Sequence, residues 1–311
     1  MADPALFDNE MTSAAGGGPE AGIGDVISAP TNRAEIWRRF RKNKLALAGL
    51  AFIILLTISA LAAPLITKYG PIERPEPHIF RGSPSGTHWF GTDDIGRDVF
   101  SRILYGGRIA LRIGLAASII ALIIGIVLGV LAGYYGGWVD NLVMRITDIF
   151  LAIPYIILAV AIAAVIGKSQ NSVILILGVT GWLAIARIVR ASFLQLKELE
   201  YVEAAEALGF KRSRVIWRHI LPNALQPIIV YGTIEIGGVI LAAAALGFLG
   251  VGVQDPAPDW GLMVTQARGD ISSHPHLVIF PGMAIFLTVL AFVFIGDGLR
   301  DALDPKLRGR E

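Results

Sequence analysis

Three groups of residues in this 311-residue chain combine types and spacings that bear on chemistry. The first is Glu203-Ala204-Ala205, followed by Gly209 and then by Leu221-Pro222: an acidic residue and two small ones on a short helix, a turn glycine, and a proline that restricts the residue before it. Such a set reads as a helical hairpin with one small apolar face. The second is Glu235, a carboxylate inside an apolar run, where insertion costs on the order of 2.5 to 3.5 kcal/mol; it must face a partner, water or a polar pathway, and a pathway role and a packing contact both stay open. The third is Asp148 and Asp297, the only arrangement that offers an intramembrane aspartyl hydrolase. Each has an arginine three residues away, Arg145 and Arg300, which favours ionised anchors over a dyad sharing a proton. Gly167-Lys168-Ser169 resembles the end of a nucleotide loop, but the glycine required five residues earlier is Ile162. Neither a His-Glu-x-x-His helix nor a nucleophile elbow occurs, and the absence of cysteine excludes thiolate chemistry and disulfides. His78, His88, His219, His274 and His276 are scattered and read as polar loop residues, so neither a metal site nor a resident cofactor is expected.

The elements that position these residues follow from composition. Hydrophobic residues make up 54% and charged residues 17% of the chain, and many of its 35 glycines lie inside apolar runs, where they let membrane helices pack closely. A bilayer core takes about 20 apolar residues of helix to cross. Six segments meet that requirement: 45–66, 111–132, 143–166, 171–190, 227–250 and 278–299, the fourth as a short or tilted crossing that ends among Arg187 and Arg190. The spacing thus predicts an all-α integral membrane protein. Residues 1–32, rich in Ala, Gly, Pro and Ser, read as a disordered tail, 33–44 as a basic juxtamembrane segment, 45–308 as the six-span domain and 309–311 as a C-terminal tail. With the N-terminus inside, two thirds of the 27 lysines and arginines fall on inner segments, which places both termini in the cytoplasm. Long loops are then expected at 67–110 and 251–277 outside and at 191–226 inside, and the net charge of +2 gives no reason to expect a nucleic-acid partner.

The inner loop reads as a helical hairpin. Tyr201, Ala205 and Leu208 fall on one apolar face beside Glu203 and Glu206, Gly209 suits a left-handed cap, and Ser213 can cap a second helix ending near Leu221. The stretch Glu203-Ala204-Ala205, Gly209, Leu221-Pro222 resembles the EAA loop of ABC importer permeases, with His219-Ile220-Leu221-Pro222-Asn223 similar to the peptide and nickel branch where other members often have Ile for His219. The resemblance implies a type I importer permease fold whose loop is a coupling helix docking into an ATPase subunit.

Other stretches resemble the same branch, most closely the C-type subunit of dipeptide and oligopeptide importers. Gly91-Thr92-Asp93, Gly96-Arg97-Asp98 and Ser101-Arg102 match the segment before the second span, with Ala110 in place of a common Ser. They are expected to form a polar turn and then a helix lying on the outer interface, with Arg97 and Asp98 facing water. Shaping a docking face for a substrate-binding protein and plugging the outer mouth are both open for them. Arg145, Asp148 and Pro154, and Asp297, Arg300 and Asp304 near the end, also match. They are expected to act as anchors: Arg145 pairing with Asp148, Arg300 pairing with Asp297 or Asp304, Pro154 kinking the third span, and Pro305 stopping the last helix. Many relatives carry Glu where Ala243 stands, so no pathway role is carried to that position. The resemblance covers about residues 33–308. It implies a bacterial inner-membrane machine of two different six-span permeases, two ATPase subunits holding ATP and Mg, and an extracytoplasmic binding protein. It imports short peptides or, alternatively, glutathione or nickel chelates.

Overall fold

The structure, a computed structural model, describes residues 33–75 and 79–304. The tail at 1–32, His78, Pro305 and the tail at 309–311 lie outside the described residues. The amphipathic α1 (Arg33–Phe40) leads to α2 (Lys44–Leu61), whose first turn is capped by the side chain of Asn43 accepting from the Ala46 N–H at 3.1 Å. Asn43 also donates to Asp301 at 3.1 Å, so the first and last spans meet at one end of the bundle. A short turn, α3 (Ala63–Ile66), closes the first crossing.

The second helix, α4 (Val99–Tyr135), runs 37 residues and starts twelve positions before the expected span at 111. Asp98 causes the early start: its carboxylate accepts from the Ser101 N–H at 2.7 Å as an N-cap. The loop expected outside therefore covers 67–98 rather than 67–110. Val99 and Ile103 are buried in protein rather than lying on an interface, because Trp260 of a later helix covers them and donates to the Ile103 carbonyl at 3.0 Å.

The third span is broken, not merely kinked. α5 (Gly137–Leu151) and α6 (Tyr155–Ile166) meet at 88°, with Pro154 at the corner lacking the N–H that a continuous helix would need. The fourth crossing combines α7 (Gln170–Thr180) and α8 (Trp182–Lys197), separated only by Gly181. Far from being short, it runs past Arg187 and Arg190 to Lys197, and its apolar window is 67% buried against 39% or less in the other long crossings. It fits there because α4 carries Gly125, Gly129 and Gly133 one turn apart. A Cβ at any of the three would stand 2.6 Å from the Cβ of Ile185, Val189 or Phe193, so glycine lets the two backbones touch.

After α9 (Glu200–Ala207) the chain turns and enters α10 (Arg212–Arg214), a π-helical stretch at Val215–Ile220 and α11 (Leu221–Phe248) without interruption. Neither the Ser213 cap nor the stop at Leu221 is present. Lys211 precedes the helix with no side-chain cap, and the widened π turn, in which the Leu221 N–H bonds the Ile216 carbonyl five residues back, seats Pro222 without ending the rod. The fifth helix thus begins near 212, not at 227. The outer segment after it contains α12 (Trp260–Ala267), and α13 (His276–Leu303) completes the bundle. Among the described residues five helical segments are long and apolar enough to cross a membrane, six if the bent pair α5 and α6 counts as one.

Candidate functional site

At the end of the bundle where α4 and α8 finish, the hairpin is held by its apolar inner face. Val202, Ala205, Val215, Ile216 and Ile220 are buried together with Phe193 and Ile185 of α8. The face differs in detail from the expected one: Ala205 is inside, but Tyr201 and Leu208 are exposed, Leu208 by 75%. Tyr134 at the end of α4 donates to Glu206 at 3.0 Å, and Lys197 donates to the Tyr134 carbonyl at 3.2 Å. Gly209 has φ +76°, and the Gly209 and Phe210 N–H groups bond the Glu206 and Ala205 carbonyls in a Schellman turn that only a residue tolerating positive φ closes without strain. The outer side of this rigid hairpin presents Glu203, Ala204, Leu208 and Trp217 to the surroundings, with Trp217 67% exposed. Leu221 is half-buried and Pro222 exposed on the rod that follows.

Two ion pairs bind α5 to α8 beside the hairpin. Arg190 forms a fork with both carboxylate oxygens of Asp140, and Arg187 meets Asp148 at 2.5 Å. The expected Arg145 to Asp148 pair is therefore replaced: arginines within a span gain more from a facing helix than from their own. With Asp148 so engaged, a shared-proton dyad with Asp297 has no support. Asp297 is exposed on α13, and Arg300 pairs with neither Asp297 nor Asp304 among the described residues. Instead the Asp304 carbonyl accepts from Arg39 at 3.4 Å, part of the seam between the first and last helices.

The opposite end carries a network that sequence reasoning placed in water. Thr92, Arg97, Asp98, Ser101 and Arg102 are all buried, Arg97 and Arg102 to 1% exposure or less. Arg97 donates to Asp93 at 2.6 Å and to Asp255 at 2.7 Å, joining the loop before α4 to the one after α11. Arg102 donates to the Pro71 carbonyl at 3.1 Å. Gly91 and Gly96 hold positive φ in the turn that feeds this cluster. Burial alone would lower the Arg97 pKa, but the donations to Asp255 and Asp93 outweigh it and raise it; burial likewise pushes Asp255 up, and Arg97 holds it below the ordinary carboxylate value. Arg81 to Asp270 at 2.8 Å adds a second tie between the loops. These buried side chains can shape the surface at this end of the bundle but cannot touch a partner themselves. The partner residue Asp255 was missed because its link to Arg97 spans 158 positions with no local signal.

Asp259, which caps α12 by accepting from the Leu262 N–H at 2.9 Å, is almost fully buried, and desolvation pushes its pKa up to about 6 against the backbone donations of Leu262 and Gly261. A carboxyl whose folded pKa exceeds its unfolded value of 3.8 favours folding in its protonated form, so that contribution is fullest below pH 3.8 and fades as pH rises through about 6. Asp259→Asn keeps a capping oxygen and removes the titration. Its melting temperature in detergent should therefore exceed that of the wild type at pH 8, with the gap narrowing as pH falls from about 6 to 3.8; parallel curves would contradict the assignment.

Midway through the bundle, a cavity of about 360 Å³ is lined by α5, α6, α7, α8 and α11, including Tyr155, Thr180, Gly181, Tyr231 and Glu235. Glu235 is half-buried there.

A helical bundle of five or six spans, interrupted beside a central cavity and carrying an exposed hairpin at one end, has the architecture of a membrane permease. The chain belongs to the family of binding-protein-dependent transport system inner membrane components, whose model matches residues 125–309; the model for the N-terminal TM domain of oligopeptide transport permease C matches residues 31–81. Similar proteins include a dipeptide transport system permease protein of Alkalihalophilus pseudofirmus, 48% identical over 91% of this chain and 93% of that one. Glutathione transport system permease proteins of Shigella flexneri and Escherichia coli are 46% identical over 92% and 93%. In fold the chain resembles a chain of the MetNI methionine ABC transporter solved in inward-facing conformations, with a TM-score of 0.55, 23% identity, and coverage of 65% of this chain and 97% of that one. The likeness to importer permeases of the peptide branch, read from the 203–222 stretch and the segment before α4, is borne out.

Proposed function

We propose that this chain forms one half of the translocation pathway of an ATP-driven importer of short peptides, glutathione among them, seated in the bacterial inner membrane with both termini in the cytoplasm. The other half is a second, homologous six-span permease. Two ATPase subunits carry ATP and Mg and drive the cycle, one of them docking on the 203–222 loop of this chain, and a binding protein delivers peptide to the outer loops; this chain hydrolyses nothing. The observation that carries the reading is the hairpin: Val202 and Ala205 fix it from within, while Glu203, Ala204 and Leu208 stay exposed on a helix fused through the π turn to α11. The peptide reading rests on the relatives that transport dipeptides and glutathione.

Movement of the hairpin would be transmitted along the rod to α11 and to the cavity at Glu235, alternating access by rigid-body motion. Glu203→Arg with Gly209→Asp reverses the charge on the exposed face and strains the positive-φ turn. In co-expression the ATPases should co-purify with wild type and be lost from the variant, with insertion checked independently. ATPases that bind both forms equally would remove the hairpin from the docking role.

A further inference from the structure

Among the described residues Glu235 has no counter-charge. None of the residues lining its cavity is basic, and the arginines farther along α8, Arg187 and Arg190, are engaged by Asp148 and Asp140. A carboxylate at membrane depth carries a strong cost, and with only the neutral Tyr231 hydroxyl bonded to it Glu235 still lacks a counter-charge, which a cation from outside the chain would supply. The backbone around it is irregular in two places. The corner between α5 and α6 contributes Leu151 and Tyr155 to the cavity wall, and the break between α7 and α8 contributes Thr180 and Gly181. Non-helical backbone at this depth is tolerated where it lines a cavity, and broken helices flank substrate sites in transporters. At Gly181 a Cβ would stand 3.6 Å from the Glu235 Oε1, so the carboxylate lies against the break itself. Tyr155 and Tyr231 add two aromatic rings to the same wall, and the remaining lining is chiefly apolar. A carboxylate with two tyrosines on the same wall and no basic side chain among the lining residues suits a compact cation better than an anion.

We infer that Glu235, with Tyr155 and Tyr231, forms a subsite for the protonated amino group of the transported peptide, orienting it amine-first against the α7–α8 break while the apolar wall accepts a side chain. This rests on the peptide-import reading above. The three N–H donors of an ammonium match the carboxylate and its neighbours, and the volume lies in the range of small-ligand pockets.

The test is uptake of dialanine into proteoliposomes holding the whole importer, with this chain as wild type, Glu235→Gln or Glu235→Asp, and with recovery of the assembled complex measured for each. Glu235→Gln should assemble normally and lower kcat/KM for dialanine by about 10- to 100-fold, the loss expected for one charge-assisted contact, with Glu235→Asp recovering part of it. N-acetyl-dialanine, which has no ammonium, should be carried poorly by wild type and no worse by Glu235→Gln. Unchanged dialanine uptake by Glu235→Gln would overturn the subsite, and so would failure of that variant to recruit the second permease, which would make Glu235 a subunit contact. A wild-type importer that assembles and hydrolyses ATP yet carries no peptide would instead sink the peptide reading, and the subsite with it.

Discussion

Valine at Gly129 should keep α4 and α8 from closing and cost about 3 kcal/mol or more, the upper end of what overpacking a tight interface produces. The site cannot yield easily: a Cβ there meets not only the Val189 Cβ at 2.6 Å but the Ala186 carbonyl at 2.7 Å, and backbone cannot swing aside as a side-chain tip can. Because α8 carries both arginines that hold α5 and also packs on the hairpin, the damage should spread from the bundle centre to its base. Gly282→Ala, at a helical glycine with open space around it, is the matched control. Thermal melts in detergent should show a large drop for the first and almost none for the second. Equal melting points would mean that the small-residue stripe does not set the helix separation.

Removing Arg97 should loosen the outer end without disturbing the base. Arg97→Ala leaves Asp93 and Asp255 facing each other across a cluster that also buries Arg102, and truncating one member of a buried pair typically costs 3 to 5 kcal/mol. Half the Asp255 side chain is exposed, 48%, so solvent reduces this to about 3 kcal/mol. Because Arg97 lowers the Asp255 pKa, its stabilisation is complete above the unfolded carboxylate value of about 3.9 and disappears as pH falls through the lower folded value. Hydrogen exchange of residues 251–259 should accelerate in the variant at pH 7, with Arg97→Lys intermediate, and the difference should narrow at pH 3. Protection equal to wild type at pH 7 would show that other contacts, such as Arg81 with Asp270, hold the loops by themselves.

What could be read from the chain and what could not divides along physical lines. Apolar length fixes a crossing whatever its neighbours do, so the second, fifth and sixth spans were legible. The left-handed turn at Gly209 was legible because only the local backbone decides it. The ends of helices were less so, since Asp98 and the π turn at 215–220 extend α4 and α11 into stretches whose polarity suggested loop. The fourth crossing misled because Arg187 and Arg190 look like an exit from the membrane until Asp148 and Asp140 are seen across from them on α5. Arg97 misled for the same reason: charge predicts water only where no partner folds over it, and Asp255 arrives from 158 positions away, whereas Asp98 is met by the His88 ring only ten positions earlier. Glu235 was identifiable as out of place, whereas the aromatic walls that give it a ligand class depend on which helices converge.

The uninterrupted rod from Arg212 to Phe248 also fixes an angular phase. Each helical residue turns the chain by about 100°, so the direction in which the hairpin meets its neighbour and the direction in which Glu235 meets the cavity are set relative to each other by how many residues lie between them. The π turn, wider than the α turns around it, is a built-in adjustment of that angle. Apart from the side chains that pack the hairpin, it is the number of residues between 212 and 235 that matters, like the count of teeth between two gears on one shaft.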